Sequence, residues 1–339
     1  MTMRILGIET SCDETAMSVV EDGTRILSNV IASQIEIHAQ YGGIYPEMAS
    51  RAHIKAIVPV AKQALRQAHL GWQDLTAIAV TYGPGLPGSL LTGLNFAKGA
   101  ALSCELPLVP INHLEGHLYA HWLQTDVAGA ANGQLEFPLL ALIVSGGHTE
   151  LILMRNHGVY EYLGGTLDDA AGEAFDKVAR MLELGYPGGP AIEERAQRGN
   201  PRAFKLPRAW LRGTYDFSFS GLKTAVLRTL KRQSGPLSPR LTANMAASFQ
   251  ASVVEVLAEK AVRAAEEYAV TAILLSGGVS ANTALRRAVR ARTNTQVYTL
   301  PLVLCTDNGA MIAAAGTRRY QAGKRADWNL DIEPGLTLA

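Results

Sequence analysis

The chain has little cysteine, no long apolar run and almost no net charge, and each absence excludes a class of protein. Its three cysteines are far apart and form no CxxC pair, which argues against a disulfide framework or a thiolate zinc site and is typical of a reducing compartment. No apolar run approaches the roughly 18 residues of a transmembrane helix, and no basic, apolar leader opens the chain. We therefore expect a soluble, uncleaved cytoplasmic protein with no membrane partner. The formal net charge of +1 gives no global sign of nucleic-acid binding, so any such signal has to be local.

Basic residues are concentrated in the segment from Arg195 to Arg240, called here the basic segment. It holds eleven Lys or Arg against one acid, Asp216. The aromatic residues interleaved with them are Phe204, Trp210, Tyr215, Phe217 and Phe219. This composition suits a phosphate backbone with unstacked bases, although a solvated helical insert whose charges serve only solubility is the alternative. A second, weaker cluster is "LRRAVRAR", at 285–292.

A weak internal repeat divides the chain into two halves. "RILGIETSCDETAMSVVED" and "FPLLALIVSGGHTELILMR" both read as strand, polar turn and strand. "LTAIAVTYGPGLPGSLLTGLNFAKGAAL" and "VTAILLSGGVSANTALRRAVRA" both read as strand, Gly-rich loop and helix. If the halves face each other, four Gly- or Ser-rich loops surround one cleft, where backbone N–H groups can hold phosphate or carboxylate. Each loop alone is also consistent with a tight turn.

The repeat predicts an α/β protein of two related lobes. We expect a first lobe at 1–133, a second lobe at 134–315 with a largely helical insert at about 165–250, and a C-terminal helix and tail at 316–339 that packs back on the first lobe. The segment "YAHWLQTDVAGAANGQLEFP" is the predicted connection between the lobes.

The stretch "INHLEGHLYAH" concentrates three histidines and a glutamate in one short amphipathic segment. A helix after the strand "LPLVPIN" places His113 and His117 at i and i+4, the spacing that two imidazoles need to share a cation. His121 lies one turn further and is expected outside the metal shell. The motif is not the HExxH of zinc proteases, since Leu114 follows the first histidine. Glu115 is roughly 200° around the helix from His113 and should point away from the metal.

Asp307 is the candidate third ligand. In "PLVLCTDNGAMIAAAG" it follows a predicted apolar strand and opens an Ala-rich helix, with Thr306 as a plausible cap. Capping alone is the other reading of Asp307. Two histidines and one carboxylate with open positions suit Fe(II) or Zn(II) and leave room for substrate oxygens.

Ten segments, taken in order, resemble one known family. They are "GIETSCDET", "YGGIYPEMASRAH", "TYGPGLPGSL", "HLEGH", "VSGGHTEL", "DDAAGEAFDKVAR", "YPGGP", "DFSFSGLKT", "SGGVSANTAL" and "CTDNGAM". They span nearly the whole chain and resemble the TsaD family, the tRNA adenosine threonylcarbamoyltransferases formerly labelled O-sialoglycoprotein endopeptidases. The resemblance implies the actin-like, Hsp70-like (ASKHA) ATPase fold. It also implies transfer of threonylcarbamoyl from threonylcarbamoyl-AMP to the exocyclic amine of the adenosine 3′ to the anticodon, tRNA position 37, in tRNAs that read codons beginning with A.

The resemblance also implies roles for particular residues. His113, His117 and Asp307 hold one divalent metal, with Fe(II) favoured over Zn(II). ATP or the adenylate is held by the following residues: Ile143, Val144, Ser145, Gly146, Gly147, Asp176, Gly189 and Asn282. Ser11, Asp13 and Glu14, in the first hairpin turn, are catalytic candidates, with turn-forming polar residues as the alternative reading. The implied partners are tRNA, a degenerate paralogue subunit and a small P-loop ATPase.

One position departs from part of the family and two other functions stay open. Ile143 stands where archaeal and eukaryotic relatives carry a tyrosine that can reach the metal, so the chain resembles the bacterial type. A small-molecule kinase on the same fold is one alternative, but it has no need for the two histidines or the basic segment. A non-catalytic tRNA- or nucleotide-binding paralogue is the other, and such a chain is expected to lose the histidines and Asp307.

Overall fold

The chain forms two compact units in a computed structural model that describes residues 2–125, 130–131, 135–232 and 235–339. Unit 1 comprises Met1–Leu135 and Leu300–Ala339, and unit 2 comprises Glu136–Thr299. The boundary predicted at 133/134, and part of the predicted connecting segment, lie outside the described residues. No helix in the described parts of the chain has both the length and the apolar character needed to cross a bilayer.

Both units contain strands and helices. The strands are β1 (Arg4–Glu9), β2 (Glu14–Glu21), β3 (Arg25–Ile26), β4 (Val30–Ser33), β5 (Ala77–Gly83), β6 (Leu108–Asn112), β7 (Leu139–Val144), β8 (Thr149–Asn156), β9 (Val159–Gly165), β10 (Ala272–Ser276) and β11 (Gln296–Tyr298). The helices are α1 (Ile35–Ala39), α2 (Pro46–Ala68), α3 (Pro87–Ser103), α4 (His113–Tyr119), α5 (Ala171–Met181), α6 (Gly188–Ala196), α7 (Ser220–Lys231), α8 (Pro239–Glu267), α9 (Thr283–Arg290), α10 (Leu302–Cys305) and α11 (Gly309–Gln321). Short 3₁₀ helices lie at Trp72–Asp74, Ala120–Trp122 and Gly278–Ala281.

The two units have the same sheet topology. In unit 1 the order is β3-β2-β1-β5-β6, with β4 also paired to β2, and in unit 2 it is β9-β8-β7-β10-β11. In each, an antiparallel hairpin (β1 with β2, β7 with β8) is followed by a strand parallel to its first member (β5, β10). The internal repeat predicted from the sequence is therefore confirmed strand by strand.

Each sheet has its own apolar core because its helices bury a stripe of side chains against it. In unit 1, α2 buries Ile57, Val60, Ala61 and Ala64, which share one helix face. They belong to the same core as residues of β1, β2 and β5. All six residues of β7 in unit 2 are buried, as expected for a central strand covered on both faces.

The C-terminal boundary differs from the prediction. Residues 300–315, assigned from the sequence to the second lobe, belong to unit 1 because α11 packs along β1, β2 and α4. Residues 316–339 also lie in unit 1. "PLVLC" is the short helix α10 rather than a strand, and the strand before it is β11.

Two glycines let α11 approach the first hairpin closely. A Cβ on Gly7 of β1 would lie 2.1 Å from the Gly309 carbonyl oxygen, and a Cβ on Gly309 would lie 2.5 Å from the Ser18 backbone nitrogen. Neither distance is tolerable for a side chain, so both positions require glycine. The start of α11, and Asp307 just before it, are thereby held next to the β1–β2 turn.

Candidate functional site

The histidine helix starts where β6 ends. Asn112, the last residue of β6, caps α4 because its side-chain oxygen accepts from the Leu114 and Glu115 N–H groups. All seven residues of α4 are buried. The predicted helix after "LPLVPIN" is therefore confirmed, and its two histidines point into the interior of unit 1.

His113, His117 and Asp307 form one cluster. The Nε2 atoms of both histidines face Asp307 Oδ1, at 3.5 Å from His113 and 3.2 Å from His117. The two rings meet edge to face, with centroids 4.8 Å apart. Each of the three residues offers one ligand atom, and these atoms all lie within 4.8 Å of one another. His121, although buried, does not belong to this cluster.

The donor set fits a divalent transition metal. Two imidazole nitrogens and one carboxylate oxygen make three ligands, which leaves coordination positions for substrate or water and matches the preference of Fe(II) and Zn(II) for such ligands. Burial alone would lower the pKa of His113, but the negative charges of Asp307 and Glu9 outweigh it and raise this pKa to about 9. The negative charge of Asp307 beside the two Nε2 atoms, with that of Glu9 beside Nδ1 of His113, therefore favours a cation at this cluster.

Asp307 is placed by the turn before α11. Asn308, not the predicted Thr306, caps this helix, because its side-chain oxygen accepts from the Met311 N–H at 3.0 Å. An asparagine three residues before that N–H has the required reach, whereas Thr306 Oγ1 donates back to the Leu302 carbonyl. Asp307 is thus not needed as the cap, and its carboxylate faces the histidines.

Behind the His113 ring lies a fully buried carboxylate, Glu9, at the end of β1. Glu9 Oε2 lies 3.0 Å from His113 Nδ1 and also accepts from Thr81 Oγ1 at 2.6 Å. Glu9 Oε1 accepts from the Ser11 N–H at 2.5 Å. Burial alone would raise the pKa of Glu9, but the charge of His113 and its hydrogen bond hold this pKa below its usual range.

The three catalytic candidates lie beside this cluster. Ser11 Oγ is 3.1 Å from His113 Nδ1. Asp13 is buried in the turn, and Glu14 is the first residue of β2 rather than part of the turn. Burial, the adjacent Asp13 and the charge of Asp307 together raise the pKa of Glu14 to about 10. This shift favours the neutral form of the Glu14 carboxyl, which can donate a hydrogen bond.

Glu115 points away from the metal cluster, as its helical position predicts. Its Oε2 accepts from Arg319 Nε of α11 at 2.5 Å. Gly116 allows close packing at the same place, since a Cβ there would lie 2.6 Å from Ile312 Cδ1. The helix that carries the histidines is therefore tied to the helix that follows Asp307.

In unit 2 the predicted adenylate loop is a tight turn between β7 and β8. Ser145 N–H donates to the His148 carbonyl, and Ser145 Oγ accepts from the His148 N–H. Cβ atoms on Gly146 and Gly147 would meet nothing within 4 Å, so space for a ligand adjoins both residues. Ile143 and Val144 are fully buried in β7, which leaves Ser145, Gly146 and Gly147 as the accessible part of the segment.

Of the other three predicted adenylate residues, Asp176 lies in the middle of α5, Gly189 near the start of α6 and Asn282 just before α9. Asp176 Oδ1 accepts from the Gly188 N–H at 2.7 Å and so links α5 to the start of α6. Open space surrounds the Cβ position of Gly189. Asn282 caps α9, and its amide donates to Gln250 Oε1 at 2.8 Å. Their ligand contacts stay a prediction.

Three of the five aromatic residues in the basic segment are not free to stack on nucleic-acid bases. Phe217 and Phe219 are buried in the core of unit 2, and Tyr215 is 9% exposed. Among the basic residues, Lys223 binds Asp169 and Arg208 binds Glu255. Exposed cations are present on the rest of the segment: Arg198, Arg202, Lys205, Arg212, Arg228, Lys231, Arg232 and Arg240. The charges can contact phosphate, but these three rings cannot stack on bases without unfolding the core.

Sequence analysis missed three residues that hold the cluster in place, Glu9, Thr81 and Arg319. Glu9 is 104 residues from His113 in the chain, and the pairing of β1 with β5 and of β5 with β6 brings them together. The one available signal was an acidic residue ending an apolar strand, "ILGIE", where a buried carboxylate needs a partner.

Comparison with known proteins agrees with the resemblance seen in the sequence. A family model described as "TsaD: tRNA N6-adenosine threonylcarbamoyltransferase" matches residues 25–314. The protein named tRNA N6-adenosine threonylcarbamoyltransferase from Thermomicrobium roseum is 55% identical, with 99% of this chain and 97% of that protein covered. The protein of the same name from Symbiobacterium thermophilum is 53% identical, with 98% and 96% covered.

Solved structures with low sequence identity share the fold. HypF of T. kodakarensis aligns with a TM-score of 0.61 at 17% identity, covering 95% of this chain and 48% of HypF. The (R)-2-hydroxyglutaryl-CoA dehydratase component A of Acidaminococcus fermentans aligns with a TM-score of 0.54 at 17% identity, covering 94% and 99%. These similarities confirm the predicted ASKHA fold.

Proposed function

The chain belongs to the TsaD family of tRNA N6-adenosine threonylcarbamoyltransferases, and from this premise we propose how its own residues perform the transfer. It is a transferase that modifies tRNA. The acyl donor in the proposal is threonylcarbamoyl-AMP, and the acceptor is the exocyclic amine of the adenosine at tRNA position 37. The amine nitrogen bonds to the carbamoyl carbon, the bond from that carbon to the phosphate oxygen breaks, AMP leaves with the electron pair, and the nitrogen releases one proton to water.

Positioning carries most of the proposed catalysis. The exocyclic amine of adenine is a weak nucleophile, so holding it against the carbamoyl carbon, with hydrogen-bond donors at the developing oxyanion, lowers the barrier more than removal of its proton. For the donor end we propose Ser145, Gly146 and Gly147, whose turn is preorganised and borders open space. Asp176, Gly189 and Asn282 complete this proposed adenylate site in unit 2.

The metal group in the proposal is His113, His117 and Asp307. A divalent metal held there, Fe(II) or Zn(II), supplies Lewis acidity and positive charge toward carbamate or phosphate oxygens. This metal group also distinguishes the transferase from the two alternative functions. A small-molecule kinase of the same fold does not need it, and a degenerate paralogue is not expected to keep it.

For Glu14 we propose the role of a neutral hydrogen-bond donor to the carbamoyl oxygen. A carboxyl with a pKa of about 10 is a poor base near pH 7 but a good donor. Substitutions at Glu14 distinguish a hydrogen-bond donor from a general base. Glu14→Gln keeps a donor and should retain more activity than Glu14→Ala, whereas a general base would be lost in both variants.

We propose that the partner subunit docks on an apolar surface of unit 1. Ile54 and Val58, one turn apart on α2, are 65% and 46% exposed. Leu91 and Leu102, three turns apart on α3, are 41% and 65% exposed. Exposed apolar residues on two adjacent helices are typical of a protein interface. The family implies a degenerate paralogue as its occupant, together with a small P-loop ATPase elsewhere, and we propose a cytoplasmic location because tRNA is the substrate.

Co-purification tests this surface. With the paralogue coexpressed, Ile54→Glu should abolish the complex, because a buried unpaired charge is costly at an interface. Val159→Glu, at a similarly exposed apolar residue of β9 in unit 2, is the matched control and should leave the complex intact. Equal retention of the paralogue by both variants would remove the surface from the proposal.

A single-turnover assay tests the reaction itself. Labelled threonylcarbamoyl-AMP, unmodified tRNA and the enzyme with its partner proteins are mixed, and wild type is compared with Asp307→Ala. Label on tRNA with wild type only is the expected result. Equal transfer by both would contradict the role of the metal group. No transfer by either, with adenylate binding intact, would favour the non-catalytic binding role.

A further inference from the structure

The carboxylate of Glu9 is placed to act on the metal group without being a ligand. It is fully buried at the end of β1, and both of its oxygens are engaged by fixed donors. Oε1 receives the Ser11 backbone N–H, and Oε2 receives Thr81 Oγ1 and faces His113 Nδ1 at 3.0 Å. An ionised carboxylate only accepts hydrogen bonds, so the third contact requires a proton on Nδ1 of His113.

A proton on Nδ1 leaves Nε2 as the ligand atom. Nε2 lies on the far side of the ring and faces Asp307 Oδ1 at 3.5 Å, which is where the metal donors converge. Carboxylates that accept from the outer nitrogen of a metal-bound histidine fix the ring orientation and tautomer and increase its basicity as a ligand. His113 is therefore prearranged by a group 104 residues away in the chain.

We propose that Glu9 is a positioning residue that orients His113 and reserves its Nε2 atom for the metal. This inference rests on the proposed metal group of His113, His117 and Asp307. It differs from the roles proposed for Ser11, Asp13 and Glu14, because Glu9 is fully buried behind the ring and cannot touch substrate. It also explains why a buried carboxylate ends a strand whose other residues are almost entirely apolar.

A purely structural role for Glu9 makes a different prediction. Glu9 also joins β1 to β5 through Thr81, so its loss could weaken the sheet without any effect on the metal. In that case Glu9→Gln and Thr81→Val would lower the thermal stability of the metal-free protein and leave metal affinity alone. A positioning role predicts a larger fall in metal affinity for Glu9→Gln than for Thr81→Val, because the carboxylate remains in Thr81→Val.

The hydrogen bonds of Glu9 determine how a glutamine at this position would face His113. The Ser11 N–H demands an acceptor, so the amide oxygen must occupy the Oε1 position and the NH₂ must take the Oε2 position. Thr81 can rotate its hydroxyl to accept, but the NH₂ group then points at His113 Nδ1. The ring satisfies it best by moving its proton to Nε2, where the proton blocks the metal, because an Nδ1 proton kept for Ser11 Oγ, 3.1 Å away, would leave the NH₂ group facing an N–H.

The measurement is the affinity of the full-length protein for Zn(II) and Co(II), by competition with a chelator of known affinity. We expect Glu9→Gln to weaken binding about 10- to 100-fold. Thr81→Val should stay within about 3-fold of wild type. Glu9→Asp keeps the charge but is one methylene too short to hold both contacts, so it should fall between Glu9→Gln and wild type. Affinity of Glu9→Gln within about 3-fold of wild type would overturn the inference.

Nitrogen-15 NMR of histidine in the zinc-loaded wild type gives a test that needs no variant at position 9. The inference requires a zinc-bound Nε2 and a protonated, hydrogen-bonded Nδ1 at His113, assigned by its loss in His113→Ala. A zinc-bound Nδ1 would overturn it. If His113→Ala retains full zinc affinity, the metal group itself is wrong. If His113→Ala loses zinc while Glu9→Gln does not, only the role of Glu9 fails.

Discussion

Arg319 Nε lies 2.5 Å from Glu115 Oε2, and this ion pair joins the helix of the two histidines to the helix that follows Asp307. Glu115 is almost fully buried, whereas the Arg319 side chain is 29% exposed. The metal ligands therefore come from two separate segments, which this ion pair joins together with the close packing of Gly116 against Ile312.

Removing either partner of this pair should have unequal effects. Arg319→Met leaves a buried carboxylate without its cation, and we expect a loss of about 3 kcal/mol in the free energy of unfolding. Glu115→Gln leaves an arginine that can turn to solvent, and we expect a loss of about 1 kcal/mol. Urea unfolding of the metal-free variants measures both. Equal losses would mean that the buried charge is relieved by a group other than Arg319.

The metal group predicts how many ions the protein binds. Purified wild type should carry about one divalent metal per subunit, and His113→Ala combined with His117→Ala should remove it, because one carboxylate alone holds such an ion weakly. Metal analysis after gel filtration measures the stoichiometry. A double variant at the exposed His69 and His157 is the control and should keep its metal. Full retention in the His113 and His117 variant would refute the ligand assignment.

The basic segment predicts a salt-dependent contact with tRNA. Arg202, Lys205 and Arg212 are exposed cations, and replacing all three with glutamine should weaken tRNA binding. Each lost phosphate contact should also reduce the slope of log affinity against log salt by about 0.7 to 0.9. A variant with the same charge loss in unit 1, at Arg25, Lys324 and Arg325, is the control. An unchanged slope in the first variant would leave the segment with a solubility role only.

Much of the architecture could be predicted from the sequence because it follows local patterns. The repeated hairpins and strand-loop-helix units depend on residues that are neighbours in the chain, and so does the i, i+4 spacing of His113 and His117. The chain order of the segments was enough to predict two sheets of one plan, as found.

The errors and omissions arose where distant residues decide the outcome. Residues 300–315 belong to unit 1 because α11 can approach β1 through Gly7 and Gly309, a fit that no local pattern encodes. Phe217 and Phe219 looked like stacking platforms among basic residues, but α8 and the sheet of unit 2 supply the core that buries them. Glu9 was missed because its partner, His113, is adjacent only after three strands have paired.

A pH dependence of stability is expected from Glu150, on β8 beside Ile143 and Gly165. Burial raises its pKa to about 7. The unfolded chain releases this proton near pH 4.5, while the folded protein keeps it up to about pH 7. The folded state thus binds more protons between these values, so stability falls as pH rises from 4.5 to 7 and then levels off.

Glu150→Gln should remove this fall, because a neutral amide has no charge to bury. At pH 8 we expect the variant to be more stable than wild type by about 1–2 kcal/mol, less than the full shift implies because solvent relaxes around a partly buried group. Below pH 4.5 the two proteins should be alike. Denaturant unfolding at a series of pH values measures this, with Glu194→Gln, an exposed carboxylate on α6, as the control that should follow wild type. If Glu150→Gln and wild type run parallel from pH 4.5 to 8, the Glu150 carboxyl is ionised in the folded protein and its surroundings must supply a partner for that charge.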